Sequence, residues 1–373
     1  MKTSFIDFYS ENNILPVSQD ISDLKKHFQR RDSLLRSLGI PNVLVRNAEV
    51  LEFGPGSGHN SIYIASLMPS KFHLVDGNLR GINDTKNLLS KYKVDDLDVI
   101  HSLFLEYKTN LVYDIVWAEG CIPHQIDPIC IVKHLSSFTK KDGIFVASMN
   151  NGISYLSEMI RRVASFLHMN ESQSFHDKMD VIRPLLKGHL QNLKGMSRPV
   201  DDWIADSILQ PLHDGKLFSI PDAIAALQND YDIYSTSPKL ISDWRWYKDV
   251  TGDEKKFNQI ALNCYYKNNL NLIDYRYEFK SHSVSFGQKL EFFCNEVWDI
   301  MCSIQNGDPS HLNLFKEKLI EISKFIEKKA PNTSEAIGES LYWLDSGAPI
   351  DAELKHLPEW WGRGQQYASF IKK

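Results

Sequence analysis

The chain opens on a helical pattern of apolar and polar positions. Within residues 20–39, apolar side chains recur at the spacing of one face of an α-helix. These positions are Leu24, Phe28, Leu34, Leu35 and Leu38. Asp20 or Ser22 is placed to cap the start of this amphipathic helix, and Gly39 is placed to end it.

Short apolar runs follow, and helix-like or turn-rich segments separate them. The runs are residues 48–54, 71–77, 96–104, 113–120 and 143–149. Short buried strands that alternate with helices build right-handed βαβ units, and these form a parallel sheet with both faces covered. The pattern therefore predicts an α/β fold with a doubly wound, mostly parallel sheet.

The regular alternation of predicted strands and helices ends after residue 150. Residues 151–217 are helical in pattern, SIPDAIAALQND and YDIYSTSP restore a helix and a strand, and QIALNCYYK predicts a further strand. From about residue 285 the pattern is helical again. We therefore predict a helical leader at 1–40, an α/β core at 41–150, a helical insertion at 151–217, a return to the core sheet at 218–268, and a helical C-terminal extension at 269–373.

Composition narrows the class of protein. The 373 residues are 43% hydrophobic and 24% charged, which is typical of globular proteins. A net charge of -5 disfavours general binding to nucleic-acid phosphates. The N-terminus lacks a signal-peptide pattern, no run approaches the ~20 apolar residues of a membrane span, and the five cysteines form no C-x-x-C pair. These features predict a cytoplasmic protein.

The sharpest motif is VLEFGPGSGHNS at residues 50–61, a hydrophobic strand that runs into three alternating glycines. Gly54, Gly56 and Gly58 permit unusual backbone torsions and let a ligand lie against the chain without a Cβ between them. The helix that follows offers free N–H groups to an anion. Glu52 precedes the first glycine, where it can hold the turn or a ligand ammonium group.

Asp76 ends the next predicted strand, where a carboxylate can accept hydrogen bonds from both hydroxyls of an adenosine ribose. The G-x-G-x-G spacing differs from the G-x-G-x-x-G of dinucleotide-binding folds, and no Lys-Ser/Thr pair of a phosphate-binding P-loop follows. The alternative is a tight strand–helix turn without a ligand.

With these motifs, residues 41–150 resemble the core of class I S-adenosylmethionine-dependent methyltransferases. Glu52–Gly58 is similar to the first motif of that family, Asp76 to its ribose-binding acid, YDIVWAEG to its fourth-strand motif and DGIFVAS to its fifth strand. The resemblance implies a seven-stranded sheet and S-adenosylmethionine as the cofactor. It also implies a set of cofactor contacts: Glu52, Gly54, Pro55, Gly56, Gly58, Asp76, Gly77, Asn78, Ser102, Leu103 and Glu119.

One position departs from the family pattern. Members often carry an acidic residue after the third strand, where it contacts the adenine amine, but this chain has Leu103 there. Ser102 or the backbone of 102–103 would have to make that contact. The N-terminal stretch resembles the leaders of bacterial members that act on small molecules, some of them sugars or glycan precursors.

The loop after the fourth strand holds the candidate catalytic groups. His124 is the candidate general base, because an alcohol nucleophile must lose its proton and imidazole titrates near neutral pH. Glu119 is a candidate to orient that base or to bind a substrate hydroxyl or amine. The alternatives are a histidine that caps a helix and a solvated glutamate.

Candidate substrate contacts are spread along the chain. Arg198 could clamp a carboxylate or phosphate, or simply belong to a proline-initiated helix start. Trp244 could stack on a sugar or base, or bracket the core against the C-terminal segment. Tyr9 and Gln19 lie in the leader, where they could close the cofactor pocket or be merely docked chain. No histidine has a metal-type spacing with carboxylates, so we predict no metal.

The leading hypothesis is a methyltransferase that moves a methyl group to a small polar acceptor, at a hydroxyl of a sugar or other metabolite. The acidic charge and the AEGCIP run, in place of an N/D-P-P-Y/F motif, disfavour nucleic acid as the acceptor. Alternatives are an N-methyltransferase on an amine or protein, a non-catalytic binding or scaffold protein with the cofactor fold, and a nicotinamide oxidoreductase. Apolar positions in the extension suggest a homodimer: Leu290, Phe293, Val297 and Ile300.

Overall fold

The computed structural model describes residues 8–9, 11–12, 14, 19–123, 125–212, 217–308 and 310–373. The chain divides into two compact units. The sheet unit takes its residues from 1–149, 218–265 and 365–373. The helical unit takes its residues from 150–217 and 266–364.

The sheet unit is built on one sheet of seven strands, as the sequence predicts. The strands are β1 (Glu49–Phe53), β2 (Lys71–Asp76), β3 (Asp96–His101), β4 (Tyr113–Ala118), β5 (Thr139–Met149), β6 (Tyr231–Ser237) and β7 (Gln366–Lys372). Their order across the sheet is β3-β2-β1-β4-β5-β7-β6. The first five strands pair in parallel, and β7 runs antiparallel to both β5 and β6.

Helices cover both faces of this sheet. They are α1 (Leu24–Ser37), α2 (Ser61–Ser66), α3 (Leu79–Leu89), α4 (Pro128–Ser137) and α8 (Ile220–Leu227), with short 3-10 turns at Asn42–Leu44 and Phe104–Glu106. The side chain that caps α1 is Asp23, which accepts from the backbone N–H of Lys26 at 2.9 Å. The expected caps, Asp20 and Ser22, therefore lie three positions and one position too early. Gly39 follows α1 with a φ of +71°, as a helix-ending glycine should.

The core of the sheet unit lies between β1, β2, β4 and the helices packed on one face. Fully buried members include Leu35, Val50, Phe72, Leu74, Trp117 and Val146. Four of the five β1 residues are buried, because a central parallel strand is covered on both faces. The apolar runs of the sequence therefore mark strand interiors, and the polar residues that follow them lie at the carboxyl edge of the sheet.

Two predicted elements at the C-terminal side are wrong. QIALNCYYK is not a strand, because it lies in helix α9 (Phe257–Asn268). Its buried residues Ala261 and Tyr265 are four positions apart, which is a helical spacing. The extension at 269–373 is not helical throughout, because its last residues form strand β7, which lies between β5 and β6.

The helical unit combines residues of the predicted insertion with residues of the predicted extension. Its helices are α5 (Gly152–Phe166), α6 (Phe175–Gln191), α7 (Val200–Ile204), α10 (Val284–Gln305), α11 (His311–Ile326) and α12 (Pro331–Asp345), with a π-helical turn at Ala205–Leu209 and a 3-10 turn at Asn269–Leu272. Helix α5 is buried over most of its length and packs against α10. Gly152 allows this approach, since a Cβ there would lie 2.6 Å from the backbone of Cys294.

The tryptophans near the C-terminus belong to the interior of the helical unit. Trp360 and Trp361 are almost fully buried, and the indole N–H of Trp360 donates to the carbonyl of Ile273 at 2.8 Å. In the part of the chain that the structure describes, no helix combines the length and apolar character that a membrane span requires. None of the five cysteines, all of which lie within the described residues, forms a disulfide.

Candidate functional site

The glycine loop joins β1 to α2 at the carboxyl edge of the sheet. Gly54, Gly56 and Gly58 have φ values of +72°, +57° and +75°, which residues with a Cβ rarely adopt. The N–H of Gly54 donates to the carbonyl of Val75 at 2.9 Å, and the N–H of Gly58 donates to the carbonyl of Pro55 at 2.9 Å. The alternating glycines are therefore required by the backbone path itself, and Pro55 shapes the turn rather than projecting from it.

Gly56 lies at an open position of this loop. A Cβ built on Gly56 would meet no heavy atom of the described residues within 4 Å, whereas one on Gly54 would lie 2.7 Å from the Cβ of Cys121. On the other side of the loop, a Cβ on Gly81 of α3 would lie 2.7 Å from the carbonyl oxygen of Gly56. Gly81 thus lets α3 pack against the loop, and Gly56 leaves free space for a ligand to lie against its backbone.

Asp76 ends β2 beside the loop, as predicted. Its Oδ2 accepts from the N–H of Gly56 at 3.0 Å, and its Oδ1 accepts from the N–H of Asn78 at 2.8 Å. Burial raises the pKa of Asp76, while these backbone N–H groups act in the opposite direction. Each carboxylate oxygen has a second lone pair, so the group can still accept from two ligand hydroxyls.

Glu52 is the residue of the loop whose polar atoms are least satisfied. Its side chain is 3% exposed, and its Oε2 makes no hydrogen bond of good geometry to the described residues. The buried hydroxyl of Ser61, at the start of α2, lies beside this carboxyl group and lowers its pKa, against the larger effect of burial. Burial raises the pKa of Glu52 to about 8. A buried acid in this state is ready to receive a cationic or hydrogen-bonding group.

The other predicted cofactor residues include a group beside the end of β2. Asn78 caps α3, because its Oδ1 accepts from the N–H of Arg80 at 3.0 Å and of Gly81 at 3.1 Å. The carbonyl of Gly77 lies 3.1 Å from the Nε2 of His101. Ser102 donates its N–H to the carbonyl of Asp76 at 3.0 Å, and Leu103 exposes 46% of its surface. The segment 102–103 therefore lies directly beside the end of β2.

Glu119 has a different environment from the one predicted. Arg31 of α1 binds its carboxylate with two hydrogen bonds, of 2.9 and 2.8 Å. Three further donors complete the network: Asn60 Nδ2 at 3.1 Å, Trp117 Nε1 at 2.9 Å and Tyr367 Oη at 2.9 Å. Five donors fill the roughly four lone-pair positions of a carboxylate, so Glu119 has no free acceptor with which to bind a substrate or orient a base.

The charge state of Glu119 agrees with this network. Burial alone would raise the pKa of this carboxyl group, but Arg31 and the other donors outweigh burial and hold the pKa below its usual value. Glu119 is therefore ionised at neutral pH and fixed in place. Its contacts favour the role of a buried ion-pair partner over the predicted catalytic role.

Arg31, Asn60 and Tyr367 were missed by the sequence analysis. Arg31 carried a signal, because it lies on the same helical stripe as Phe28 and Leu35, where a solvated charge is not expected. Asn60 follows the glycine motif but fits no known pattern. Tyr367 lies on the unpredicted strand β7, 248 positions along the chain from Glu119, so no local signal could connect the two.

Two residues of the leader, Gln19 and His27, contact His59 beside the glycine loop. The backbone N–H of Gln19 donates to Nδ1 of His59 at 3.0 Å, immediately after the last glycine of the motif. Tyr9 is 2% exposed, and its carbonyl accepts from the N–H of Ile14. His124 lies outside the described residues.

The two remaining substrate candidates lie elsewhere in the chain. Arg198, in the helical unit, donates to Asp206 Oδ2 at 2.8 Å and to the carbonyl of Asp202 at 3.1 Å. Trp244, in the sheet unit, is 93% exposed. The expected bracket between core and C-terminal segment is therefore wrong for Trp244. Among the described residues, no group of three His, Cys, Asp or Glu side chains is placed to hold a metal ion.

Comparison with known proteins finds a match in the N-terminal half of the chain. Residues 26–183 match a family profile described as a methyltransferase domain, which is less than half of the 373 residues. No curated protein matches the sequence.

Three solved structures illustrate the similarity in fold. The N-methyltransferase NodS of Bradyrhizobium japonicum WM9 is 14% identical over 39% of this chain and 74% of its own, with a TM-score of 0.32. PKMT2 of Rickettsia typhi is 21% identical over 48% of this chain and 35% of its own, with a TM-score of 0.36. The magnesium protoporphyrin IX methyltransferase ChlM of Synechocystis PCC 6803 is 15% identical over 41% of this chain and 69% of its own, with a TM-score of 0.31.

The sheet order, the glycine loop with its neighbouring acids and the family match together define the class of this protein. Residues 26–183 carry a methyltransferase domain, and the cofactor of the enzyme is S-adenosylmethionine, as the sequence predicts. The residues present fit its cofactor. Open space at Gly56 admits a ligand, Asp76 retains acceptors for a ribose, and the buried Oε2 of Glu52 makes no hydrogen bond of good geometry to the described residues.

Proposed function

We propose that this enzyme transfers the methyl group to a hydroxyl of a small polar acceptor, a sugar or another metabolite. The observation that carries the proposal is the state of Glu119. Because five donors occupy its carboxylate, Glu119 is not available to remove the acceptor's proton. His124, five positions further along the sequence, has the right chemistry for the task.

The cofactor supplies an electrophilic methyl group when it is bound, and the protein supplies position and proton transfer. We propose that Glu52, the glycines of the loop and Asp76 hold it, with Pro55, Gly77, Asn78, Ser102 and Leu103 at the border of the site. Tyr9, Gln19, Arg198 and Trp244 are proposed substrate contacts. The net charge of -5 supports a small molecule over a nucleic acid as the acceptor. A cytoplasmic location and a homodimer through the C-terminal extension are part of the same proposal.

The identity of the atom that receives the methyl group is determined with isotopically labelled S-adenosylmethionine and fractionated polar metabolites. Labelled product is isolated and its new bond is assigned by mass spectrometry and nuclear magnetic resonance. A methyl ether supports the proposal. A methylated amine, peptide or nucleic acid contradicts it, and a complete lack of turnover with bound cofactor supports a scaffold instead.

Once the acceptor is known, His124→Gln is expected to lower kcat about 10²–10⁴-fold, which is the usual range for loss of a general base. His134→Gln is the control, since His134 contacts the carbonyl of Tyr107 at 3.2 Å on helix α4. An unchanged rate in His124→Gln would dismiss the base assignment while leaving the cofactor site intact.

Cofactor binding is expected to release a proton from Glu52 near pH 7. The pKa of about 8 leaves this group mostly protonated in the free protein, and the cationic sulfonium and ammonium of the cofactor favour the carboxylate. Calorimetric titrations at pH 7 in buffers with different ionisation enthalpies measure the number of protons released. Glu52→Gln should bind cofactor without this release, and proton uptake by the wild-type protein would contradict the assignment.

The Glu52 carboxyl group also affects the free energy of unfolding. Because the pKa is raised in the folded protein, the folded state binds more protons than the unfolded state between about pH 4.5 and pH 8. The free energy of unfolding of the free protein should therefore fall as the pH rises through this window. Glu52→Gln should remove that component of the slope.

A further inference from the structure

Two tryptophans of the sheet unit differ from the others in their exposure. Six of the eight tryptophans are at most 6% exposed. Trp244 and Trp246 instead expose 93% and 60% of their surface, and the adjacent Tyr247 exposes 74%. All three lie in residues 238–256, which join β6 to α9 and form the aromatic loop. Large rings that are grouped in water mark a surface that meets a partner.

Arg245 fixes the base of the aromatic loop. Its Nε and Nη2 donate to the two carboxylate oxygens of Asp243 at 3.0 and 2.6 Å, and its guanidinium also donates to the carbonyls of Glu254 and Lys255. Farther along the loop, a 3-10 turn covers Tyr247–Asp249. The loop therefore keeps its shape through its own polar contacts, and the exposed rings are held outward on a fixed backbone.

The arrangement of the rings disfavours a flat ligand. The rings of Trp246 and Tyr247 have centroids 6.5 Å apart and planes at 80° to each other. The Nζ of Lys248 lies 4.9 Å from the centroid of the Trp246 ring and covers one of its faces. A nucleobase or a sugar ring needs an open flat face on which to stack, and this pair offers no common face.

The aromatic loop combines amphipathic rings with positive charge. Indole and phenol rings carry a polar atom on an apolar body, and lysine carries an ammonium on an apolar stem, so these groups are stable where lipid headgroups meet acyl chains. The aliphatic side chains of the loop are less accessible, since Leu240 is buried and Ile241 and Val250 are half-buried. The loop contains five basic and four acidic side chains, whereas the whole chain has a net charge of -5. This composition suits contact with a lipid surface.

The aromatic loop leaves the sheet at the edge that carries the glycine loop. Strands β5 and β6 both run antiparallel to β7, so β6 is parallel to β5 and to the four strands before it. The carboxyl ends of parallel strands lie at the same edge of a sheet. A lipid surface that meets this loop would therefore lie at the carboxyl edge of the sheet and not at the opposite edge.

We infer that the aromatic loop binds the headgroup layer of an anionic phospholipid surface. The rings of Trp244, Trp246 and Tyr247 lie at the level of the headgroups, and the ammonium of Lys248 contacts a lipid phosphate. Such a contact is peripheral and requires no membrane-spanning segment. The inference does not depend on the acceptor proposed above.

The full-length protein is tested with vesicles made of equal parts of phosphatidylcholine and phosphatidylglycerol, and bound protein is measured by sedimentation. Tryptophan fluorescence is the second readout, because the six buried indoles are already shielded from water and a blue shift would report Trp244 and Trp246. Trp244→Ser should weaken binding at least about tenfold, and Tyr247→Ser should weaken it several-fold. Tyr342→Ser is the matched control, since Tyr342 of α12 is 73% exposed, and its affinity should stay within about twofold of the wild-type protein.

Lys248→Gln tests the charge. It should weaken binding to the mixed vesicles about fivefold and leave binding to pure phosphatidylcholine vesicles within about twofold. Thermal unfolding checks that each variant is folded. A lack of binding to the mixed vesicles would overturn the inference, and so would full binding by Trp244→Ser.

Other occupants of the aromatic loop would give different results in the absence of vesicles. Self-association that is detected by analytical ultracentrifugation and lost in Trp244→Ser would assign the loop to a second copy of the chain. A fluorescence shift on titration with dextran would assign it to a glycan. Either result, together with a lack of vesicle binding, would replace the lipid surface as the partner.

Discussion

Glu119→Gln is expected to lower the free energy of unfolding by about 3–5 kcal/mol, the usual cost of breaking a buried ion pair by removing one partner. The reason is that Arg31 and Glu119 are both shielded, with 8% and 13% of their side chains exposed, and Arg31 would remain charged and buried. The amide of glutamine keeps only one of the two oxygens, so either Trp117, which donates to Oε2, or Tyr367, which donates to Oε1, would also lose its acceptor. Urea unfolding followed by circular dichroism measures the change.

Asp201→Asn is the matched control. Arg183 also binds Asp201 with two hydrogen bonds, of 2.7 and 3.1 Å, but these side chains are 37% and 51% exposed. An exposed pair is worth at most about 1 kcal/mol, so its removal should change stability little. Equal losses in the two variants would show that bidentate geometry, and not burial, sets the effect.

The double variant Arg31→Met/Glu119→Leu separates the ion pair from the packing. In this variant no unpaired charge is left buried, so it should be clearly more stable than Glu119→Gln.

The pH dependence of the free energy of unfolding gives an independent check on the ion pair. Because the pKa of Glu119 is depressed on folding, its contribution is present above the ordinary glutamate pKa and is lost as the pH falls through the folded pKa.

The central strands β1 and β4 were predictable because they bury all but one of their residues. Runs such as YDIVWA in β4 are buried at five of six positions, so they appear in the sequence as continuous apolar segments between helices. The glycine loop was predictable for a different reason. Its positive φ values admit few residues other than glycine, which makes the backbone geometry visible in the sequence.

The last strand was not predictable by the same logic. Strand β7 consists of QYASFIK, a short segment in which small and polar residues break the apolar run. Its buried Ser369 donates to the carbonyl of Leu38 at 2.7 Å, a contact that spans 331 positions of the chain. Long-range pairing of this kind satisfies the serine hydroxyl, but it leaves no trace in the local pattern.

The candidate site also has a part that the sequence predicts and a part that depends on long-range contacts. Glu52, the glycines and Asp76 lie within one βαβ unit, so their order in the sequence reports their proximity in the fold. Glu119 was placed correctly at the end of β4, but its partners come from α1 and β7. Position along a strand predicts where a side chain lies, whereas the partners that decide its role come from distant parts of the chain.

Asp76→Ala is expected to weaken the binding of S-adenosylmethionine by about 10²-fold or more. A carboxylate that accepts from both ribose hydroxyls makes two hydrogen bonds to a charged group, each worth about 1.5–3 kcal/mol. The variant also loses the acceptor of the Gly56 N–H at 3.0 Å, so the loop loses one of its anchors. Calorimetric titration with S-adenosylmethionine and with its demethylated product measures both affinities, which should fall together.

Asp98→Ala is the matched control for this substitution, since it removes the same charge from an exposed position on the neighbouring strand β3. Its affinity should stay within about twofold of the wild-type protein, because exposed charges are screened at physiological ionic strength. Asp76→Asn should fall between the two, since an amide can still accept one ribose hydrogen bond. If Asp76→Ala bound as tightly as Asp98→Ala, the ribose would have to lie elsewhere, and the proposed cofactor contacts of the β2 end would be wrong.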